Sequence, residues 1–255
     1  MQIQTYEQET MKRITLLLWL TAVTMLLQAS PDYYPSVAST GTFINHDDME
    51  EELTVGGTYD APLTVTFSAN PADTMGYIVL YEWKIIKKDN NEETTLAVRN
   101  DEVTEFTFRE GGAGISYLIS LSFTYRYRET GVEGSVEQDE SDMLRFSLRS
   151  SSLTVYNAFS PNDDGVNDKL RVKTQSLLKF RMAIFNRWGQ RMASGDETTL
   201  EKEYQDDFTY YVCWDGKVNG QVADDGVYFI SIEAIGSDGI EYTERRDVIL
   251  FTRSR

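Results

Sequence analysis

Tyr117-Leu118-Ile119-Ser120-Leu121-Ser122-Phe123-Thr124-Tyr125-Arg126-Tyr127 places a large apolar or aromatic residue at every odd position. Successive side chains on an extended backbone point to opposite faces, so a period of two over this length is a strand with one buried face. The same period appears on both sides of it. Leu63, Val65 and Phe67 alternate with threonine and serine, Phe106 and Phe108 flank Thr107, and Leu144, Phe146 and Leu148 repeat the pattern. Turn-rich gaps such as Asp89-Asn90-Asn91 and Gly111-Gly112-Ala113-Gly114 separate these runs, and no helical period intervenes. Short strands at regular spacing with such turns predict two antiparallel sheets packed face to face.

The pattern resumes after Ser151 and Ser152. Leu170 and Val172, then Phe180, Met182 and Ile184, then Tyr228, Ile230, Ile232 and Ala234, and finally Val248, Leu250 and Thr252 give a second set of strands. Asn186-Arg187-Trp188-Gly189-Gln190 reads as a hairpin turn, because Asn and Gly tolerate the positive φ of tight reversals. The fold class is therefore all-β, with two tandem immunoglobulin-like antiparallel β-sandwiches over residues 59–150 and 151–255. A length of 255 residues with 41% hydrophobic content suits two modest domains.

Ahead of them, Met11-Lys12-Arg13, the apolar run Ile14 to Leu27 and the small-residue zone Gln28-Ala29-Ser30 have the three parts of a secretory signal peptide. The apolar run is shorter than the ~20 residues that span a bilayer. Residues 1–30 are thus expected to be removed on export, with translation starting at Met11 and residues 1–10 reflecting a start placed too early. Residues 31–58, with the acidic run Asp47-Asp48-Met49-Glu50-Glu51-Glu52 and little apolar period, are expected to be a linker or an irregular first strand. A formal charge of −17 argues against nucleic acid, whose phosphates this surface would repel. The single cysteine, Cys213, cannot form an internal disulfide and reads as a small buried hydrophobe.

Three motifs in the second half stand out. Tyr156-Asn157-Ala158-Phe159-Ser160-Pro161-Asn162-Asp163-Asp164-Gly165-Val166-Asn167-Asp168 runs from an apolar strand into a turn. There Pro161 fixes φ, Asn and Asp can bond their own backbone, and Gly165 supplies positive φ. Trp214-Asp215-Gly216-Lys217 and Asp224-Asp225-Gly226-Val227-Tyr228 follow. These residues resemble the gliding-motility-associated C-terminal domain of Bacteroidetes, marked by F-x-P-N-x-D-G-x-N-D, W-D-G and D-G-x-Y in that order. The resemblance covers roughly the last hundred residues. It implies a sorting domain of the type IX secretion system, with the outer-membrane secretion machinery as partner and the cell surface or medium as destination. The recognised end is then shaped by Phe159, Pro161, Asn162, Asp164, Gly165, Asn167, Asp168, Trp214, Asp215, Gly216 and Gly226, together with Val248 and Leu250 of the terminal strand. Two departures from the family pattern are visible: no glycine precedes that strand near Asp247, and residues 198–209 are longer and more acidic than usual.

A second resemblance covers the first domain. Ala61-Pro62-Leu63-Thr64-Val65-Thr66-Phe67-Ser68-Ala69, Tyr81-Glu82-Trp83-Lys84-Ile85, Phe106-Thr107-Phe108 and the glycine turn before Tyr117 look like a PKD domain, an immunoglobulin-like module of bacterial surface proteins. Trp83 is then either the core tryptophan of a central strand or a platform on which a sugar ring stacks. A surface glycan or protein is a candidate ligand of this module.

No chemistry is expected. Asn162, Asp164 and Asp168 could hold calcium through hard oxygens, but with Gly165 at the sixth position of an EF-hand loop, Arg171 falls where the bidentate glutamate belongs. The alternative is a turn in which these side chains bond backbone amides. Asp215, Asp224 and Asp225 lie in glycine turns rather than as the paired acids of a glycosidase. One histidine, His46, and one cysteine far apart in sequence assemble neither a nucleophilic triad nor a zinc site. The chain is expected not to be an enzyme.

Overall fold

The structure, a computed structural model, describes residues 35–72, 74–128, 131–137 and 143–252. The expected leader over residues 1–30 lies outside them. Every regular element among the described residues is a strand, and none is a helix long and apolar enough to cross a membrane.

The first module contains β1 (Ser36–Ile44), β2 (Glu50–Glu52), β3 (Gly57–Tyr59), β4 (Leu63–Ala72), β5 (Tyr77–Asp89), β6 (Glu92–Arg99), β7 (Val103–Phe108), β8 (Ile115–Tyr127), β9 (Glu133–Glu137) and β10 (Leu144–Leu148). One sheet has the order β2-β1-β4-β7. The other runs β3-β10-β8-β5-β6, with β9 also on β8. Alternation sends Val65 and Phe67 of β4 inward to meet Trp83, Ile85, Tyr117, Ile119 and Leu121 from the facing sheet. Trp83 is fully buried, and its Nε1 donates to the carbonyl of Asp101 at 2.9 Å. That position settles its role as a core residue, since no ligand can stack on a sealed ring.

Residues 31–58, expected as a linker or an irregular first strand, instead hold β1, β2 and the start of β3. β1 pairs with β4 over seven positions, from Ser36 opposite Ala72 to Thr42 opposite Thr66. The period-two signal is weak there because the one fully buried position is Gly41, between Val37 and Phe43, which pack against the core only in part. A Cβ on it would lie 2.9 Å from Leu53 Cδ1 and 3.2 Å from Phe67 Cδ1, so large neighbours fill the space that a large residue on β1 would otherwise signal.

The second module contains β11 (Ser152–Val155), β12 (Ala158–Phe159), β13 (Leu170–Gln175), β14 (Leu177–Phe185), β15 (Arg191–Asp196), β16 (Lys202–Gln205), β17 (Phe208–Trp214), β18 (Lys217–Val218), β19 (Gln221–Val222), β20 (Gly226–Gly236) and β21 (Glu241–Leu250). Its sheets run β11-β13-β17-β16 and β12-β21-β20-β14-β15, and β18 and β19 form a small separate hairpin. Leu170, Val172, Phe180, Ile184, Ile230, Ile232, Val248 and Leu250 are sealed between them. Cys213 belongs to this core, and burial pushes its thiol well above the ordinary range, which keeps it a packing group rather than a nucleophile.

Pairing is antiparallel except at two places, and these correspond. β3 runs parallel to β10 and β12 runs parallel to β21, so in each module a short early strand closes against that module's last strand. The two halves thus share an architecture that their sequences do not display as a repeat.

The modules meet at a polar seam. The amide of Ala61 donates to Ser176 Oγ at 3.2 Å, and that hydroxyl donates to Asp60 Oδ1 at 3.3 Å. The amide of Gly111 donates to the carbonyl of Ser237 at 3.1 Å, and Ser237 Oγ donates to the carbonyl of Arg149 at 3.4 Å. Arg149 bridges Asp60 at 3.4 Å and Asp207 at 3.1 Å. Burial raises the pKa of Asp60 above the usual aspartate value, and the neighbouring Arg149 charge opposes that rise. Asp206 and Asp207, with φ of 49° and 64°, make the β16–β17 turn without glycine. Such a turn favours Asn-Gly or Asp-Gly, and here the second residue keeps a carboxylate that reaches the other module. The acidic stretch 198–209, a departure from the family pattern, therefore builds part of the seam. Tyr204 within it stacks on His46 with ring centroids 3.9 Å apart. A cleft of about 840 Å³ opens beside this ring pair, lined also by Tyr59 and Lys202.

Candidate functional site

The three sequence motifs converge on one end of the second module. β12 delivers Phe159 into the core, where its ring lies 5.6 Å from that of Trp214, and Trp214 lies edge-on to Tyr228 at 4.9 Å. Trp214 Nε1 donates to the carbonyl of Lys217 at 3.0 Å, and Tyr228 Oη to that of Asp224 at 2.8 Å, so each ring also ties down the turn beside it. Gly216 packs against Pro161: a Cβ there would meet Pro161 Cγ at 2.7 Å and Phe159 Cε2 at 3.2 Å. With φ at 75°, Gly216 is required both by its backbone and by this close approach.

The residues expected at a recognised end divide into two groups. Phe159, Pro161, Trp214, Gly216, Val248 and Leu250 are buried and give the end its shape from within. Asn162 and Asp168 are half-buried, while Asp164, Gly165, Asn167, Asp215 and Gly226 lie exposed on the rim. Only the second group can touch a receptor in the folded domain.

The Asn162–Asp168 loop is a self-bonded turn. Asp168 accepts the amides of Asn162 at 3.2 Å and Gly165 at 2.7 Å. Asp164 Oδ1 accepts the amide of Val166 at 2.8 Å, while its Oδ2 accepts from Asn162 Nδ2 at 2.8 Å. Asn162 Oδ1 in turn accepts the amide of Asp164 at 3.2 Å. These oxygens face N–H groups, the opposite of a cation cage. Among the described residues no group of three His, Cys, Asp or Glu side chains is placed to hold a metal ion. The donor set does not fit calcium, and the loop's order comes from its own amides.

Asp215 and Asp225 also serve the backbone. Asp215 Oδ1 accepts the amide of Lys217 at 2.9 Å, and Asp225 Oδ1 accepts both the amide and the hydroxyl of Thr252, at 2.9 and 2.8 Å. This second clamp fixes the end of the terminal strand against the D-G-x-Y turn, and sequence reasoning did not reach it.

A further feature escaped the sequence reading. On the outer face of the β12-β21-β20-β14-β15 sheet, Val227 sits opposite Ile249, and Phe229 opposite Phe185. Val227, Phe229, Ile249 and Phe251 are each more than two-fifths exposed, and form an apolar strip bordering the acidic rim. The available signal was that Val227-Tyr228-Phe229-Ile230 is apolar on both faces, which a strand with one solvated face does not require.

Glycine substitutions separate packing from backbone strain. Gly165 and Gly216 have similar φ, 83° and 75°, but a Cβ on Gly165 meets nothing within 4 Å. Gly165→Ala is expected to cost about 1–2 kcal/mol from left-handed strain alone. Gly216→Ala should cost at least about 1 kcal/mol more, because the proline ring must shift. Chemical denaturation of the two variants in parallel measures the difference.

Comparison with known proteins bears on the same residues. Residues 153–246 match the family model described as the CHU_C type IX secretion signal domain. No curated protein matches the chain. Matches among solved structures include a tetra-tandem repeat from the extending region of a large adhesion protein, at 15% identity and a TM-score of 0.27, covering 87% of this chain and 69% of that one. The FN1–FN3 domains of chicken CNTN1 align at 11% identity and a TM-score of 0.26, covering 84% and 76%. The SGBP-B protein of a mixed-linkage glucan utilization locus in Bacteroides ovatus aligns at 13% identity and a TM-score of 0.23, covering 86% of this chain and 48% of that one.

Proposed function

We propose, given that residues 153–246 form a type IX secretion signal domain, that the carboxyl-terminal module is the address by which this exported protein is carried through the outer membrane and held at the surface or released. The convergence of the three motifs on one rim carries this reading. Buried Phe159, Trp214 and Gly216 hold the shape, and exposed Asp164, Asn167, Asp215 and Gly226 present it. A receptor protein meeting that rim would find carboxylates and turn backbone flanked by the strip Val227, Phe229 and Ile249, an arrangement suited to an interface with an apolar centre and a polar edge. The carboxylates of the rim bond backbone amides, which supports recognition rather than catalysis, and the protein acts without enzymatic chemistry.

The remaining parts belong to the same reading. Residues 1–30 serve as the signal peptide for the inner membrane, and the PKD-like first module is the spacer or adhesive cargo of a bacterial surface protein of the Bacteroidetes type. A second reading, that the first module binds a glycan or protein, draws support from the cleft beside the His46–Tyr204 pair, where rings and hydrogen-bonding side chains line one opening.

The test is made in a host with the export machinery. The full chain and a chain ending at Ser150 are compared for surface exposure, and residues 151–255 are joined to a neutral periplasmic reporter. Export of the reporter and periplasmic retention of the truncated chain are expected. Equal exposure with and without the segment would remove the sorting role.

A further inference from the structure

β5 is longer than its neighbour. β6 pairs with it only from Trp83, opposite Arg99, to Asp89, opposite Glu92. β8 accompanies it along its whole length on the other side. From Ile78 to Glu82 no other described strand pairs with the side of β5 facing away from β8. Alternate amides and carbonyls of an unpaired strand edge form a template for another strand.

The edge is also apolar. Ile78-Val79-Leu80-Tyr81 is four consecutive large apolar residues without a charge. Ile78 and Leu80 on the outer face are 47% and 67% exposed, and Met75 in the turn before them is 93% exposed. Among the described residues the other open edges are blunted. β2 is Glu-Glu-Glu, β6, β7, β9 and β16 carry acids, β15 and β21 carry charges of both signs, and β1 runs through serine, threonine and glycine, while β3, β11 and β12 are short. Charge is a usual protection of a sheet edge, and Ile78–Tyr81 carries none, while its outer-face side chains are exposed.

We infer that this edge pairs with the same edge of a second copy of the chain, antiparallel about a two-fold axis through Val79. Residues directly opposite in an antiparallel ladder share a face, so only registers centred on a residue are allowed. Centring on Val79 sets Ile78 opposite the partner's Leu80 on the outer face. Two Ile–Leu pairs then cover the exposed patch, and the contact is self-complementary as a two-fold interface requires. Charge permits it: Glu82 falls opposite the partner's Gly76, and no acid meets an acid along the ladder. The chain path permits it too. The amide of Tyr77 donates to the carbonyl of Thr74 at 2.9 Å, so the partner leaves the ladder in a turn before reaching β6.

Only a handful of residues per copy take part, so the contact is small and the dimer weak in solution. At a cell surface the local concentration of tethered copies would be high enough to populate it. That consequence rests on the export reading; the pairing itself does not.

Sedimentation velocity on the exported chain from about 10 μM to about 1 mM, the range where weak contacts show, tests the inference. A reversible monomer–dimer equilibrium is expected for the wild type, and Leu80→Lys should weaken it at least about tenfold by placing a charge in the Ile–Leu pair. Leu80 is two-thirds exposed, and an unchanged melting temperature confirms that the variant folds. The register is tested by mixing Ile78→Cys with Leu80→Cys, which should cross-link to each other faster than either does to itself. A chain that stays monomeric throughout this range, a dimer indifferent to Leu80→Lys, or cross-linking fastest between like variants would each overturn the inference.

Discussion

Replacing Trp214 by alanine is expected to remove about 3–5 kcal/mol from the carboxyl-terminal module, the usual result of deleting a large buried aromatic side chain. The module's whole stability is on the order of 5–15 kcal/mol, so this variant sits near its unfolding threshold at growth temperature. The effect is large because Trp214 serves all three motifs. Its ring fills the space between Phe159 and Tyr228, and its Nε1 holds the turn at Lys217. Trp214→Phe keeps most of the ring and loses the hydrogen bond, and should cost markedly less. Surface display in the proposed export assay should follow stability in this pair. If Trp214→Ala is lost from the surface while its denaturation midpoint equals that of the wild type, the indole itself is read by the machinery and its placement as an internal support is wrong.

Trp83→Ala should have a comparable effect on the first module. The ring is fully buried beside Phe67 at 5.9 Å, and its hydrogen bond to Asp101 anchors the crossing from β6 to β7. A loss of about 3–5 kcal/mol is expected, read as a lower first transition in thermal unfolding followed by far-UV circular dichroism. Glycan binding, if the full chain shows any, should fall only as the folded fraction falls. Loss of binding at a temperature where the variant remains folded would restore the stacking platform that the structure has sealed.

The strands were legible where each large residue faced the core and each small one faced water. Leu63, Val65 and Phe67, or Phe180, Met182 and Ile184, carry that alternation without interruption. β1 was not legible, because its one fully buried position is Gly41 and the apolar mass filling the gap belongs to Leu53, Leu144 and Phe67. At the candidate site, the motifs identified which residues matter, and the turn chemistry of Asx side chains explained Asn162, Asp164 and Asp168. What sequence could not supply was the division between buried and exposed members, since Gly216 and Gly226 read alike and only Gly216 lies beneath a proline ring. The contacts from Ala61 to Ser176 and from Arg149 to Asp207 were equally out of reach. Single polar residues separated by 115 and 58 positions leave no period to detect.

The seam between the modules bears on how such chains are inherited. A freely jointed tag could be shuffled onto any cargo, but here Ser176, Asp207 and Ser237 are matched to particular partners on the domain before them. Recombination at Ser151 would strand these groups against an unmatched neighbour. The two halves are therefore expected to be inherited as a pair.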